Sequence, residues 1–205
     1  MNYVQYGCGL CAPSEWLNFD ASPLLRLQRI PLAGRLAARG EVRFPANVRY
    51  GDIVQGLPLE AGTCRAVYCS HVLEHLSLND FRIALTNTRR LLRDGAVFRL
   101  VVPDLRAAAQ RYSSDLSEAA AMTFMQETSL GLVRRGRGVM GLLRAWLGNS
   151  QHLWMWDFAS LQHELAAAGF RNIRRASYGD SADPMFTAVE EESRWVDAVG
   201  IECRR

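Results

Sequence analysis

Along this 205-residue chain six strand-like stretches end in turn-forming, polar or acidic residues, the last of them at Tyr178. The first is Val4-Gln5-Tyr6-Gly7-Cys8-Gly9, a strand stub that breaks into a Gly-x-Gly turn. Leu17-Asn18-Phe19-Asp20 follows, a second strand closing on a carboxylate. Asp52 and Ile53 come after Asn47–Tyr50, Ser70 and His71 after Ala66–Cys69, and Asp104 after Val97–Val102. His152 stands just ahead of the Trp154–Asp157 run. A glycine turn lets the backbone press against a ligand, and a carboxylate on the neighbouring strand can accept hydrogen bonds from hydroxyls. Together they form the working end of a nucleoside-binding site.

Those residues need a scaffold that brings them together, and the intervening segments supply one. Asn79 and Asp80 open a helix with Phe81, Leu85, Leu91 and Leu92 on its inner face, and Gly95 marks its stop. Ser160 opens another through Leu161, Leu165 and Ala168, closed by Gly169, and an amphipathic stretch runs from Leu24 to Arg39. Val97–Val102 is apolar except for Arg99, as a central parallel strand should be. Two last strands are expected at Asn172–Tyr178 and Ala198–Cys203. Strands alternating with helices predict a doubly wound α/β sheet, whose ligands bind at the carboxyl ends of the strands. The whole chain, 1–205, reads as a single domain.

Composition narrows the partners. A net charge of +3 is too small to suggest a nucleic-acid or membrane partner, and all 24 basic residues are arginine. No apolar run approaches a membrane span of about 18 residues, and Met1 lies too near the first strand to leave room for a signal peptide, so the expected location is cytoplasmic. Five cysteines fit a reducing compartment. Cys8 and Cys11 form a C-x-x-C, but Cys64 and Cys69, five apart on one strand, should point to opposite faces. No metal site is therefore expected, and Cys8 reads as a small side chain inside the turn.

Taken in order, Gly7-Cys8-Gly9, Asp20, Gly51-Asp52-Ile53 and Ser70-His71-Val72-Leu73-Glu74-His75 resemble the class I S-adenosylmethionine-dependent methyltransferases. Arg90–Gly95, Val101–Asp104 and Ala168-Gly169-Phe170 extend the resemblance. It implies a seven-stranded, mostly parallel sheet with the last strand antiparallel, inserted beside the preceding one. It implies S-adenosylmethionine as cofactor, with S-adenosylhomocysteine as product. Gly7, Cys8 and Gly9 would approach the methionine part, Asp20 would hold the ribose, and Asp52 and Ile53 the adenine. Ser70 and His71 would flank the sulfonium. His71, Asp104 and His152 are the candidate catalytic bases, while Glu74 and His75 read as residues opening the next helix.

One departure from the dinucleotide pattern is informative. Only ten residues separate Gly9 from Asp20, and position 12 is Ala where a third glycine would stand, so the first helix is missing or vestigial. A pyrophosphate needs the amides of a helix N-terminus, whereas a sulfonium cofactor does not. The truncation therefore disfavours nicotinamide or flavin dinucleotides. It leaves a second reading, a catalytically inactive methyltransferase-fold binding or partner module, and predicts an exposed apolar face that a homodimer partner could cover.

The helical insertion after the fifth strand, about 105–151, could act as a lid, with helices at Ala107–Phe124 and Val139–Leu147 and a basic turn at Arg134–Gly138. Trp146, Trp154, Met155 and Trp156, with Asp180, Ser181, Asp183 and Phe186 from the connection before the last strand, are candidate acceptor contacts. The Asn/Asp-Pro-Pro-Tyr signature of enzymes of this fold that methylate nucleic-acid amino groups is absent. A small-molecule or glycan-like acceptor, methylated by in-line transfer, is the expected substrate.

Overall fold

The computed structural model describes residues 2–30, 43–132 and 151–205. The expected basic turn at 134–138, the helix at 139–147 and Trp146 lie outside the described residues, as does most of the amphipathic stretch after α1, Pro23–Gln28.

Seven strands form one sheet in the order β3-β2-β1-β4-β5-β7-β6. They are β1 Asn2–Tyr6, β2 Leu17–Asp20, β3 Val48–Tyr50, β4 Cys64–Ser70, β5 Leu92–Pro103, β6 Arg171–Ala176 and β7 Ala198–Arg204. The first five run parallel to one another, whereas β7 lies antiparallel between β5 and β6. The expected doubly wound sheet with an inserted antiparallel last strand is borne out. The order reverses between β1 and β4, so the crevice where ligands bind in such sheets falls between the residues after Tyr6 and those after Ser70.

One face of the sheet carries the larger core. Phe19, Val67, Cys69, Phe98, Leu100 and Ile201 pack there against α2, Leu78–Leu91, and α5, Phe158–Ala167. Both helices begin on side-chain caps: Ser77 Oγ accepts from the Asp80 amide, and Asp157 forms a reciprocal capping box with Ser160. The helix predicted to stop at Gly95 ends earlier. Leu92 is already extended and fully buried, and it pairs with Cys64. Val97 then pairs with Ala66, so β5 advances five residues while β4 advances two, and Gly95 at φ +73° serves the resulting bulge. β4 is irregular at the same place, advancing two residues from Cys64 to Ala66 while β1 advances one, and Cys64 falls in the core cluster that holds Cys69, contrary to the opposite faces that strict alternation predicts.

The opposite face is closed by an unexpected element. No helix lies between β1 and β2, as the short spacing predicted. The apolar surface left by its loss is covered by the chain itself. Phe186, Met185 and Val189, from the connection between β6 and β7, pack on Trp16, Tyr3 and Tyr68. The expectation of an exposed face awaiting a second subunit is corrected accordingly.

Arg99 explains its place in an apolar strand at the same point. Its side chain is wholly buried on this face, beneath the Trp195 ring at 4.7 Å. It pairs with Glu190, Glu202 (3.1 Å) and Asp180 (2.9 Å) and donates to the Ser177 carbonyl (2.6 Å). A charge buried this deeply persists only when its donors are satisfied. Arg99 is thus the anchor that fastens the 177–195 connection to the sheet.

After β5, the single helix expected over 107–124 is two, α3 Leu105–Ser114 and α4 Ala120–Glu127. Asp115 breaks it, turning extended and accepting from the Ser117 amide (2.9 Å) in place of continuing the helix. No described helix is long and apolar enough to cross a membrane.

Candidate functional site

The turn after β1 is built by two left-handed glycines, Gly7 at φ +64° and Gly9 at φ +54°. A Cβ on Gly7 would stand 2.2 Å from Val72 Cγ2, so the β4 extension already occupies that space. A Cβ on Gly9 would meet nothing, and that glycine is demanded by its φ alone. The Cys8 amide donates to the Phe19 carbonyl (3.1 Å) and the Cys11 amide to the Cys8 carbonyl (3.0 Å), which closes the turn against β2. Cys8 packs with Leu25 and Val48. Burial, with the Asp20 charge added to it, pushes its thiol up to about 12.

Asp20 ends β2 with only 9% of its surface exposed. Its Oδ2 accepts from the Gly9 amide (2.9 Å) and its Oδ1 from the Ser22 amide (2.8 Å). The carboxylate therefore fastens the glycine turn to the second strand, and each oxygen keeps a further lone pair for a ligand. Asp52, half-buried, accepts from the Val54 amide (2.9 Å) in a local turn. Its neighbour Ile53 is mostly in the core, and the Ile53 carbonyl takes a bond from Asn87 (2.8 Å).

Gly7, Asp20, Gly51, Asp52, Ile53 and His71 all line one cleft of about 450 Å³ at the carboxyl edge, together with Tyr6, Val72 and His75. That volume lies in the range of small-ligand sites, roughly 300–1,000 Å³. A second cavity of about 330 Å³ adjoins it across Tyr6 and Gly7, lined by Cys8, Gly9, Cys11, Tyr68, Ser70, Glu191 and Arg194. Ser70 Oγ and the Tyr68 hydroxyl are buried there, neither in a well-formed hydrogen bond.

His71 sits at φ +53°, an uncommon conformation for a non-glycine residue. Its Nε2 lies 2.8 Å from the Arg194 carbonyl and its Nδ1 3.4 Å from Glu74 Oε1. Burial works against the imidazolium, but the Glu74 carboxylate and the Arg194 carbonyl outweigh it and raise the His71 pKa above its ordinary value. With an acceptor facing each ring nitrogen, His71 is held as a donor, an unfavourable state for a base.

The remaining candidates are distributed differently from the expectation. Asp104 caps α3 through the Arg106 and Ala107 amides (2.9 and 3.4 Å) and lines neither cavity. His152 stands beside His75, ring centroids 4.9 Å apart, at the margin of the cleft. Trp156 is buried on Phe81, and Trp154 is partly exposed next to it. The 180–188 residues line neither cavity. Asp180 binds Arg99 and Arg174, Phe186 is core, and Asp183 meets Tyr3 (2.9 Å) at the opposite end of the strands. The connection runs down the sheet and returns, and Val189, Glu191 and Arg194 line the second cavity at the carboxyl edge. Nothing in their local sequence marks them. Glu74 did carry a signal, an acid between Leu73 and His75 within an apolar run, though its burial was not foreseen.

A family model described as a methyltransferase domain matches residues 13–175, most of the chain. The chain belongs to the methyltransferase-domain family. The resemblance read from Gly7-Cys8-Gly9, Asp20 and Ser70–His75 is thereby borne out at the level of the family. No curated protein matches the chain. Among solved structures, this methyltransferase domain is similar to an S-adenosylmethionine-dependent methyltransferase from Archaeoglobus fulgidus. The identity is 14%, covering 100% of this chain and 86% of that one, with a TM-score of 0.53. A Thermotoga maritima protein described as a possible histamine N-methyltransferase matches at 13% identity over 99% and 81%, TM-score 0.52. A Haloferax volcanii protein, described as a putative methyltransferase in complex with the Trm112 activator, matches at 14% over 99% and 81%, TM-score 0.51. At these identities the shared feature is the fold.

Proposed function

We propose that this methyltransferase domain binds S-adenosylmethionine in the 450 Å³ cleft and transfers its methyl group in line to a small-molecule or glycan-like acceptor. The observation that carries the reading is Asp20: a nearly buried carboxylate at the switch-point end of β2, locked by two amides and still able to accept from paired hydroxyls. Charge-assisted bonds of that kind are stronger than neutral ones. The residues present fit the group: Asp52, Ile53, Gly7 and His71 line the same cleft as Asp20. The Cys8, Gly9 and Cys11 amides of the turn are spent on Phe19, Asp20 and Cys8, and no helix N-terminus follows it to cradle a pyrophosphate.

When bound, the cofactor supplies an already activated methyl group, so the chain's own task is alignment and exclusion of water. Gly7 and Gly9 fix the floor between the two cavities. His71 acts as a positioning residue that ties the end of β4 to the returning segment at Arg194. Arg194 in turn donates to the Ser70 carbonyl (3.3 Å), closing the second cavity over the glycine turn. That cavity, with Tyr68, Ser70 and Glu191 in its wall, is the place for the acceptor.

The test is transfer of labelled methyl from S-adenosylmethionine across a panel of hydroxylated and glycan-like small molecules, with Asp20→Asn as control. Label transferred by the wild type and lost in the variant supports the reading. Cofactor binding without turnover on any acceptor class favours the inactive binding module instead.

A further inference from the structure

Beside the cleft, on the far side of His71, lies a group of side chains that the methyl-transfer reading leaves unused. Glu74 is completely buried, on a short 3-10 turn, Leu73–His75, that follows β4. Its backbone carbonyl is well served, accepting from the Leu153 and Trp154 amides (2.8 and 3.1 Å). Its carboxylate is not: neither Oε1 nor Oε2 has a hydrogen-bond partner. The nearest cation, His71 Nδ1, stands at 3.4 Å. A buried carboxylate whose one facing donor is an imidazole at that distance is poorly compensated, and buried charges are held by well-formed pairs or by a metal.

We propose that Glu74, His75 and His152 form a binding site for a divalent transition-metal ion. One ligand atom from each lies within 4.8 Å of the other two. Ligands about 2.1 Å from a tetrahedral ion stand about 3.4 Å apart, so small side-chain rotations close the set. The imidazole geometry agrees. His75 Nδ1 faces the Gln151 carbonyl at 2.9 Å, which fixes the tautomer with the proton on Nδ1 and leaves the Nε2 lone pair free. Carbonyl-oriented imidazoles of this kind are the usual supports of metal-bound histidines. His152 Nδ1 is buried without a partner, a second orphan in the same place. The loop that delivers His152 is held by the two amide bonds to Glu74, so the ligands come from two segments already fastened together.

Two imidazoles and one carboxylate suit zinc, manganese, iron or cobalt better than magnesium or calcium. Three protein ligands also leave a coordination position free, the pattern of catalytic sites rather than purely structural ones. His75 lines the cleft as well, so the ion would stand at its wall. Its further use, holding an acceptor through an oxygen, rests on the methyl-transfer reading; the metal site itself does not. This departs from the sequence expectation of no metal, which weighed only the cysteines.

The experiment uses the full chain, stripped of metal with chelator and titrated calorimetrically with Mn2+, Zn2+ and Co2+, the last also followed by its visible absorption. One equivalent per chain is expected, weakened at least 100-fold in both His152→Ala and Glu74→Gln and unchanged in the Cys8→Ser/Cys11→Ser double variant. Thermal denaturation of each variant reports folding, and the wild-type stoichiometry decides by itself if a variant does not fold. No uptake by the wild type, uptake unaffected by both cluster substitutions, or uptake lost only with the cysteines overturns the proposal. S-adenosylhomocysteine titrated into the same samples keeps the two readings apart. Metal without cofactor binding sinks methyl transfer alone, and cofactor without metal sinks the metal site alone.

Discussion

Arg99→Met tests whether a buried ion network fastens the 177–195 connection to the sheet. Arg99 is wholly buried and serves Glu190, Glu202, Asp180 and the Ser177 carbonyl. Removing it does not orphan all three acids equally. Arg174 still reaches Glu202 (2.9 Å) and Asp180 (2.8 Å), and Asp180 is about a third exposed. Glu190, whose side chain is 1% exposed, keeps only the Gly179 amide (3.0 Å) and is left as an uncompensated charge. Breaking a buried pair by removing one partner costs about 3–5 kcal/mol. For a chain of this size that lowers Tm by roughly 6–20 °C. The assay is urea denaturation followed by circular dichroism and tryptophan fluorescence. The double variant Arg99→Met/Glu190→Leu should recover much of the loss, because it removes the stranded charge too. A single-variant cost under about 1 kcal/mol, or no recovery in the double variant, would refute the anchoring role.

Three further outcomes follow from the geometry. Gly7→Ala places a methyl against Val72 at a left-handed φ and should destabilise by about 1–3 kcal/mol; adding Val72→Ala should relieve the contact but not the backbone strain, as thermal denaturation would show. Burial disfavours the Asp180 charge, but hydrogen bonds from Arg174, the Ser177 amide and Arg99 prevail and bring its pKa from 3.8 to about 2. Its stabilising contribution is therefore full above the unfolded value and lost as pH falls from about 4 to about 2; Asp180→Asn should flatten the stability profile in that window, and an unchanged profile would contradict the assignment. Cys11 is the exposed thiol and Cys8 is pushed up to about 12, so a thiol reagent at neutral pH should label Cys11 while Cys8, Cys64, Cys69 and Cys203 wait for unfolding. Fast labelling of Cys8 would overturn its placement.

The parallel half of the sheet was legible because each strand ends in a residue the next element cannot absorb: Gly7, Asp20, Asp52, Ser70 and Asp104. Spacing alone also revealed the missing first helix, since ten residues between Gly9 and Asp20 cannot hold one. Long-range packing was hidden. Arg99 looked like a blemish in a strand until three carboxylates from distant segments met it. The roof over Trp16 and Tyr68 could not be foreseen, because the 179–196 segment carries no periodicity to show which face it crosses. Register was similarly opaque: β4 carries one extra residue against β1 between Cys64 and Ala66, which reverses the side of Cys64, and a one-residue irregularity leaves no compositional mark. Within the site, Asp20 and the glycine turn were readable from type and order. Glu191 and Arg194 were not, because the loop's return to the carboxyl edge depends on its anchorage at Arg99.

The central claim is that the Asp20 cleft holds S-adenosylmethionine, and calorimetric titration of that compound and of S-adenosylhomocysteine tests it most directly. Wild type should bind both, and Asp20→Asn, shown folded by thermal denaturation, should bind roughly 10- to 150-fold more weakly. That is the range expected for losing a charged acceptor worth about 1.5–3 kcal/mol. No binding by the wild type, or equal binding by the folded variant, would contradict the account.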